Sequence, residues 1–327
     1  MCTREPLLLQ LLRLVDSIPE PPPPSPRRRG RPFTYPDRLF LKVLLIMILR
    51  RLHRAHEIVS FLTQPSAEIL QICSLLFPDG KMPSRRTFER RLNRLPRTLP
   101  AQIACLGKHL LRLYQPWQHC GRAVAIDSTT MRARGVPWHR KSRQTGEIPN
   151  TSIDTEAHWT HGSWHGWVYG WKLHVVTTMA AVWIPLAARL RPANEADNVL
   201  AVELIADLPD EARFVCGDSF YNSEIVRLAC EQTNRILVAS SRSKQPRTDP
   251  GVEVRKILHA LRHHTIENFN ALYKSIFDAG RPVPTKGLIN TQRFGLGAVF
   301  AFQIGLLYRY HTGELHQANF KALLRSA

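Results

Sequence analysis

The sequence predicts an α/β fold: a mixed β-sheet flanked by helices, entered through an all-helical N-terminal region. Three observations predict it. Up to residue 116 the apolar side chains recur at helical spacing, interrupted by one proline- and arginine-rich stretch. From Gly121 the pattern changes to short apolar runs of strand length. Those runs then alternate with helical segments, and two long helical stretches close the pattern.

The elements follow in order. Residues 5–17 form one short amphipathic helix. Residues 20–32, EPPPPSPRRRGRP, are an extended linker, because proline fixes φ and removes backbone donors. Helical periodicity covers 36–64 and 66–77, and Pro78-Asp79-Gly80 makes a turn. Ser84 caps a helix over 85–95, and another helix covers 98–116. Strands follow over 122–132, 167–178 and 184–191, with the polar segment 140–160 a loop between the first two. Asn194 caps a helix over 195–207. A strand over 212–218, a helix over 223–232 and a strand over 235–240 come next, and helices over 255–278 and 292–311 complete the series. Three strands, a helix, a strand, a helix, a strand and a long helix fit a ribonuclease H-like sheet. The implied organisation is an N-terminal helix and Pro/Arg-rich linker (1–32), a helical region (33–118), a ribonuclease H-like domain (119–312) and a C-terminal tail (313–327).

The 327 residues carry a net charge of +19 and a pI near 10.3, so the expected partner is a polyanion, DNA or RNA. The excess is uneven: residues 1–120 hold 20 Lys and Arg against 8 Asp and Glu. That third is the expected general DNA-binding surface, with salt-dependent affinity. At 44% hydrophobic the chain can bury a normal core. Its longest apolar runs, 39–49 and 294–307, are shorter than the ~20 residues a membrane span needs. With no signal peptide visible, the expectation is a cytoplasmic, nucleoid-associated protein without membrane contact. Six cysteines (Cys2, Cys73, Cys105, Cys120, Cys216, Cys230) form no CxxC pair and are expected to be reduced and structural.

The chemistry rests on three acids. Asp127 follows the apolar Val124-Ala125-Ile126, and Asp218 ends the run Val215-Cys216-Gly217 just before a helix. Ligands of such sheets collect at strand carboxyl ends. Glu267 lies in the basic helix over 255–278, on one stripe with His263 and Lys274. Each acid alone has an ordinary explanation: a structurally paired strand carboxylate, a cap, a solvated helix face. Together they point to a cation, because converging carboxylates cannot satisfy one another, and two divalent ions make such a site competent for phosphoryl transfer.

These residues resemble a family. AIDSTT around Asp127, the block over 169–198, GDSFYNS around Asp218 and IENFNALYK around Glu267 are similar to DDE-type bacterial insertion-sequence transposases. The resemblance implies a ribonuclease H-like catalytic domain, with Asp127, Asp218 and Glu267 as catalytic residues and metal ligands. It also implies two Mg²⁺ ions (Mn²⁺ able to substitute), and cleavage and joining of double-stranded DNA at terminal inverted repeats and target by a homodimer on paired ends. The family's last helix carries Tyr-x2-Arg-x3-Glu-x6-Lys. Glu267 and Lys274 fit that spacing, but Ala260 stands at the Tyr position and His263 at the Arg position, with Arg262 beside it. Lys274 and Arg262 or His263 are the expected phosphate contacts. Two alternatives stay open: a catalytically inactive, transposase-derived DNA-binding protein, and a ribonuclease H-like nuclease that does not join ends.

Further basic groups are candidates for DNA. Arg29 and Arg31, in an extended Arg-Gly-Arg segment, suit a narrow minor groove. The helix over 84–94 suits a recognition helix presenting Arg85, Arg86, Arg90, Arg91 and Arg94, with a merely solvated basic face as the alternative. The His- and Trp-rich segment over 138–171 includes His158, His161 and His165 at i, i+3 and i+7. Gly162 and Gly166 argue against a helical zinc site there and favour a stacking surface or an aromatic plug beside the active site.

Overall fold

The computed structural model describes residues 5–22, 34–118, 121–162, 166–240, 252–314 and 319–327. Arg29, Arg31, Cys2, Cys120 and His165 lie outside the described residues.

Six helices come first: α1 (Leu7–Ser17), α2 (Asp37–Leu49), α3 (Ala55–Leu62), α4 (Ala67–Leu76), α5 (Arg85–Leu92) and α6 (Leu95–Gln118). The helical stretch expected over 36–64 divides into α2 and α3. Arg51 adopts a left-handed φ of 57°, and its side chain reaches Asp278 at 2.8 Å. The apolar spacing runs through this break, so only the distant Asp278 marks it. Ser84 does cap α5, accepting from Thr87 N–H. Arg91 turns inward, against the expectation that it faces DNA. It is 3% exposed and binds Asp37 and the Tyr35 carbonyl.

The sheet holds β1 (Ala123–Arg132), β2 (His158–Gly162), β3 (Gly166–Thr178), β4 (Pro185–Pro192), β5 (Phe214–Gly217) and β6 (Ile236–Ala239). β3 is central to an antiparallel meander, pairing with β1, β2 and β4, and β5 and β6 add in parallel beyond β1. This is the ribonuclease H-like mixed sheet. Four strands, not three, precede the helix Asp197–Ala206. The segment expected to be a loop over 140–160 contains α7 (Arg140–Thr145) and the start of β2. β2 forms because its hairpin with β3 stacks Trp159 against Trp167 and Tyr169, an aromatic plug rather than a helix.

α8 (Asp197–Ala206) and α9 (Glu224–Gln232) interleave with β5 and β6. Neither has a side-chain cap: Ala196, not Asn194, precedes α8, and Ser223 precedes α9 with its hydroxyl buried and unpartnered among the described residues. The C-terminal part consists of α10 (Val252–Arg262), a π-helical turn (His263–Glu267), α11 (Asn268–Phe277), α12 (Leu288–Thr312) and α13 (Phe320–Ser326).

α12 is the spine. It is buried on nearly all sides and packs against α1, α2, α6 and β4, so one apolar core runs through the helical region and the sheet. Its one buried amide, Gln303, donates to the carbonyls of Ile103 and Pro185, which ties α6 and β4 to it. Among the described residues no helix is long and apolar enough to cross a membrane.

Candidate active site

Strand register brings two acids together. β1 and β5 run parallel with Ala125 beside Cys216, so Asp127 and Asp218 each stand two residues further on. β5 ends at Gly217, and the chain turns sharply there. A Cβ on Gly217 would meet the Tyr221 side chain at 2.7 Å, so only glycine lets Tyr221 fold back under the turn. The turn is closed by Asp218 Oδ1, which accepts from Phe220 N–H at 2.8 Å.

The helical segment over 252–277 lies across Asp127. Arg262 Nη2 is 3.4 Å from Asp127 Oδ1, and Asn270 Nδ2 donates to Oδ2 at 3.0 Å. Eight residues separate these two groups, which in a regular α-helix would place them about 80° apart. The π turn between them absorbs one residue, so both face the same acid. Asn270 is buried, and its Oδ1 has no partner among the described residues.

The electrostatics follow. Burial pushes the Asp127 carboxyl up to about 7; Arg262 opposes the rise and Asp218 adds to it. Lys274 is lowered by burial and partly restored by the charge of Asp127. His259 is lowered by burial and by Arg262, with Asp218 opposing, and its Nε2 is buried without a partner among the described residues. Tyr221 is fully buried and shifted well up by burial, with Asp127, Asp197 and Asp218 all contributing. Cys216 is buried and pushed up to about 12, which makes it an inert packing group.

Residues 118–301 match the family described as "Transposase DDE domain", more than half of the chain. The chain belongs to the DDE transposase family. The matched span holds Asp127, Asp218, Glu267 and Lys274. Two solved structures are similar to it. One is a piggyBac transposase synaptic complex with hairpin DNA, at 10% identity and a TM-score of 0.42, covering 99% of this chain and 76% of the other. The other is a Mos1 transposase paired-end complex with its left transposon end, at 16% identity and a TM-score of 0.24, covering 89% and 81%. No curated protein matches in sequence.

Within this transposase domain the remaining candidates are distributed as follows. Glu267 turns outward: its side chain is 51% exposed and accepts from His263 Nδ1 at 2.8 Å. Among the described residues no three His, Cys, Asp or Glu side chains stand close enough to share a metal ion. Arg85 is exposed and held by Glu89, while Arg86 and Arg90 line a shallow cavity with Ser84 and Thr87. Asn270 was not legible as a site residue, since nothing in IENFNALYK marks its amide. The signal for Arg262 was present only as a misplaced arginine beside the expected position.

Behind the site, on β3, His174 is fully buried, with Nδ1 3.6 Å from Asp197. Burial holds it down at about 4, with Asp197 opposing, Lys172 and Arg191 reinforcing and Glu203 opposing. Its unfolded value is 6.5, so the folded chain binds fewer protons between the two values. The stability this neutral ring contributes is fully present above about 6.5 and is lost as pH falls toward about 4. A His174→Gln variant is expected to flatten the decline of melting temperature across that window; an identical decline in the variant would exclude His174 as its source.

Proposed function

We propose that this transposase binds transposon ends and catalyses metal-dependent cleavage and strand transfer, with Asp127, Asp218 and Glu267 as its metal-binding catalytic acids. The observation that carries the reading is the pairing of β1 with β5, which brings Asp127 on β1 near Asp218 just past the end of β5, inside the matched domain. These two carboxylates fit a divalent cation, because each adds repulsion that only positive charge relieves, and Asp127 is already pushed toward neutrality. Mg²⁺, or Mn²⁺ in its place, would supply Lewis acidity toward a phosphodiester there. Glu267 joins the pair in this proposal by leaving His263.

The chain's own residues have separable tasks. Asn270 orients Asp127 through Oδ2 and offers its free Oδ1 to the same space. Arg262 and Lys274 neutralise Asp127 in the absence of substrate and would transfer to phosphate oxygens when DNA enters. The π turn also bears on the signature. Since it absorbs one residue, counting back from Glu267 places Arg262 where the pattern has Arg, and His259 where it has Tyr. His263, on the outer face with Glu267, would then hold that acid rather than phosphate. The helical region over 33–118, with Arg85, Arg86 and Arg90, and the linker arginines Arg29 and Arg31 serve as DNA contacts in this reading. A homodimer pairs the two ends.

The test is direct. Purified protein is incubated with DNA carrying the element's flanking inverted repeats, with Mg²⁺ or with chelator. Cleavage at the repeat boundary, and joining of pre-cleaved ends to a target, are expected only with the cation. Cleavage without any joining would favour the nuclease alternative, and duplex binding with neither would favour the inactive one.

A further inference from the structure

Away from the acid pair, a polar cavity of about 460 Å³ opens where the helical region meets the catalytic domain. Arg54 and His56 enter it from the start of α3, Arg134 from the segment after β1, and Lys286 and Arg293 from the approach to and first turns of α12. Among the described residues no carboxylate lies within ion-pairing distance of Arg54, Arg134, Lys286 or Arg293. The cavity's one acid, Glu89, is already held by Arg85 at 2.9 Å.

Some cations elsewhere have an acid within ion-pairing distance. Lys42 has Asp16, Lys172 has Asp197, and Arg189 has both Glu203 and Asp207. The one acid lining the cavity, Glu89, is paired with Arg85, and Asp154 and Glu156 beside Lys286 are occupied by the Gly287 and Leu288 N–H groups; the four cations therefore leave a net positive field, which the low-dielectric walls of a cleft focus. His53, on the cavity wall, is held below its ordinary value by burial, with Glu57 opposing and Arg293, Arg134 and Arg51 adding smaller effects in the same direction as burial.

The cations are also set in place. Arg134 donates to the Pro284 carbonyl at 3.2 Å, and Lys286 to the Thr151 carbonyl at 2.7 Å. Arg293 is pinned by Asn93, the His53 carbonyl and Asn290. Arg and Lys carry more donors than these bonds use, so phosphate oxygens can still be bound.

Position completes the argument. β1 runs from Asp127 to Arg132, and Arg134 lies two residues beyond. Seven residues of extended strand span at most about 24 Å. That is the length of at most about seven phosphates along one DNA strand.

We propose that this cavity binds the sugar-phosphate backbone of the transposon-end duplex about half a helical turn from the cleaved bond, with Arg54, Arg134, Lys286 and Arg293 as its phosphate contacts. The proposal rests on the reading of the chain as an end-cleaving transposase and adds where the flanking duplex is held.

The test uses the full chain in chelator and a labelled random-sequence duplex, with affinity measured across a salt series. The double variant Arg134→Ala/Lys286→Ala is expected to bind about tenfold more weakly near physiological salt, with a log–log salt slope shallower by about 2. The charge-conserving pair Arg134→Lys/Lys286→Arg is expected to stay within about twofold of wild type. Unchanged affinity and slope in the alanine pair would overturn the proposal. So would an equal loss in the charge-conserving pair, which marks a structural role. Tight binding of inorganic pyrophosphate, abolished in the alanine pair while duplex binding persists, would also overturn it and assign the cavity to a small anion. Cleavage by wild type reads the proposed function separately. A chain that cleaves ends while the alanine pair binds normally loses only the cavity; one that binds through these residues but never cleaves loses only the catalytic reading.

Discussion

Replacing Asp127 with Asn is expected to reduce metal-dependent cleavage of end DNA by at least about a thousandfold, while duplex affinity stays within about threefold. The amide keeps the shape of the carboxyl and can still accept from Arg262 or Asn270, so the local packing survives. What it loses is the charge that holds a cation. Several kcal/mol of Lewis-acid stabilisation correspond to that rate loss. Folding is expected to weaken, since removing one partner of a largely buried ion pair leaves the Arg262 charge without its carboxylate. Single-turnover cleavage, anisotropy with labelled duplex and thermal melting separate the three quantities. Wild-type cleavage by the Asn variant would remove Asp127 from the chemistry.

Glu267→Gln is expected to lose cleavage by at least about a hundredfold, although the side chain stands outside the acid pair here. Its present partner is His263, and both groups are more than half exposed. Exposed pairs of this kind contribute at most about 1 kcal/mol, so the carboxylate can change partners readily. Asn270, three residues beyond Glu267, donates to Asp127, so the neighbouring face of the helix reaches that acid. His263→Ala removes the competing partner and is expected to leave cleavage at the wild-type rate or above it. The same single-turnover assay reads both variants. Undiminished cleavage by the Glu267→Gln variant would make Glu267 a surface acid and leave Asp127 and Asp218 to work without it.

The two strand acids were readable because each follows an apolar run, and together they call for a cation that neither would need alone. Their adjacency was not readable, because it depends on the parallel register of β1 with β5. The hairpin strand β2 was missed for a related reason. Its residues His158–Gly162 lack strand-like alternation, and it exists through its pairing with β3 and the Trp159 stack. Arg91 reads as one of several arginines on a basic helix, and only the position of Asp37 and Tyr35 turns it inward.

The sequence by itself determined the order of helices and strands, the ribonuclease H-like sheet, the transposase family and the surplus of positive charge. Those properties follow from local periodicity, residue type and short motifs. The tertiary structure decided which groups face Asp127. A single residue absorbed by the π turn rotates Arg262 and Asn270 into line, while Glu267 stays on the rim with His263. The physical reason is that one extra residue changes a helix's facing by about 100° and leaves almost no trace in its composition.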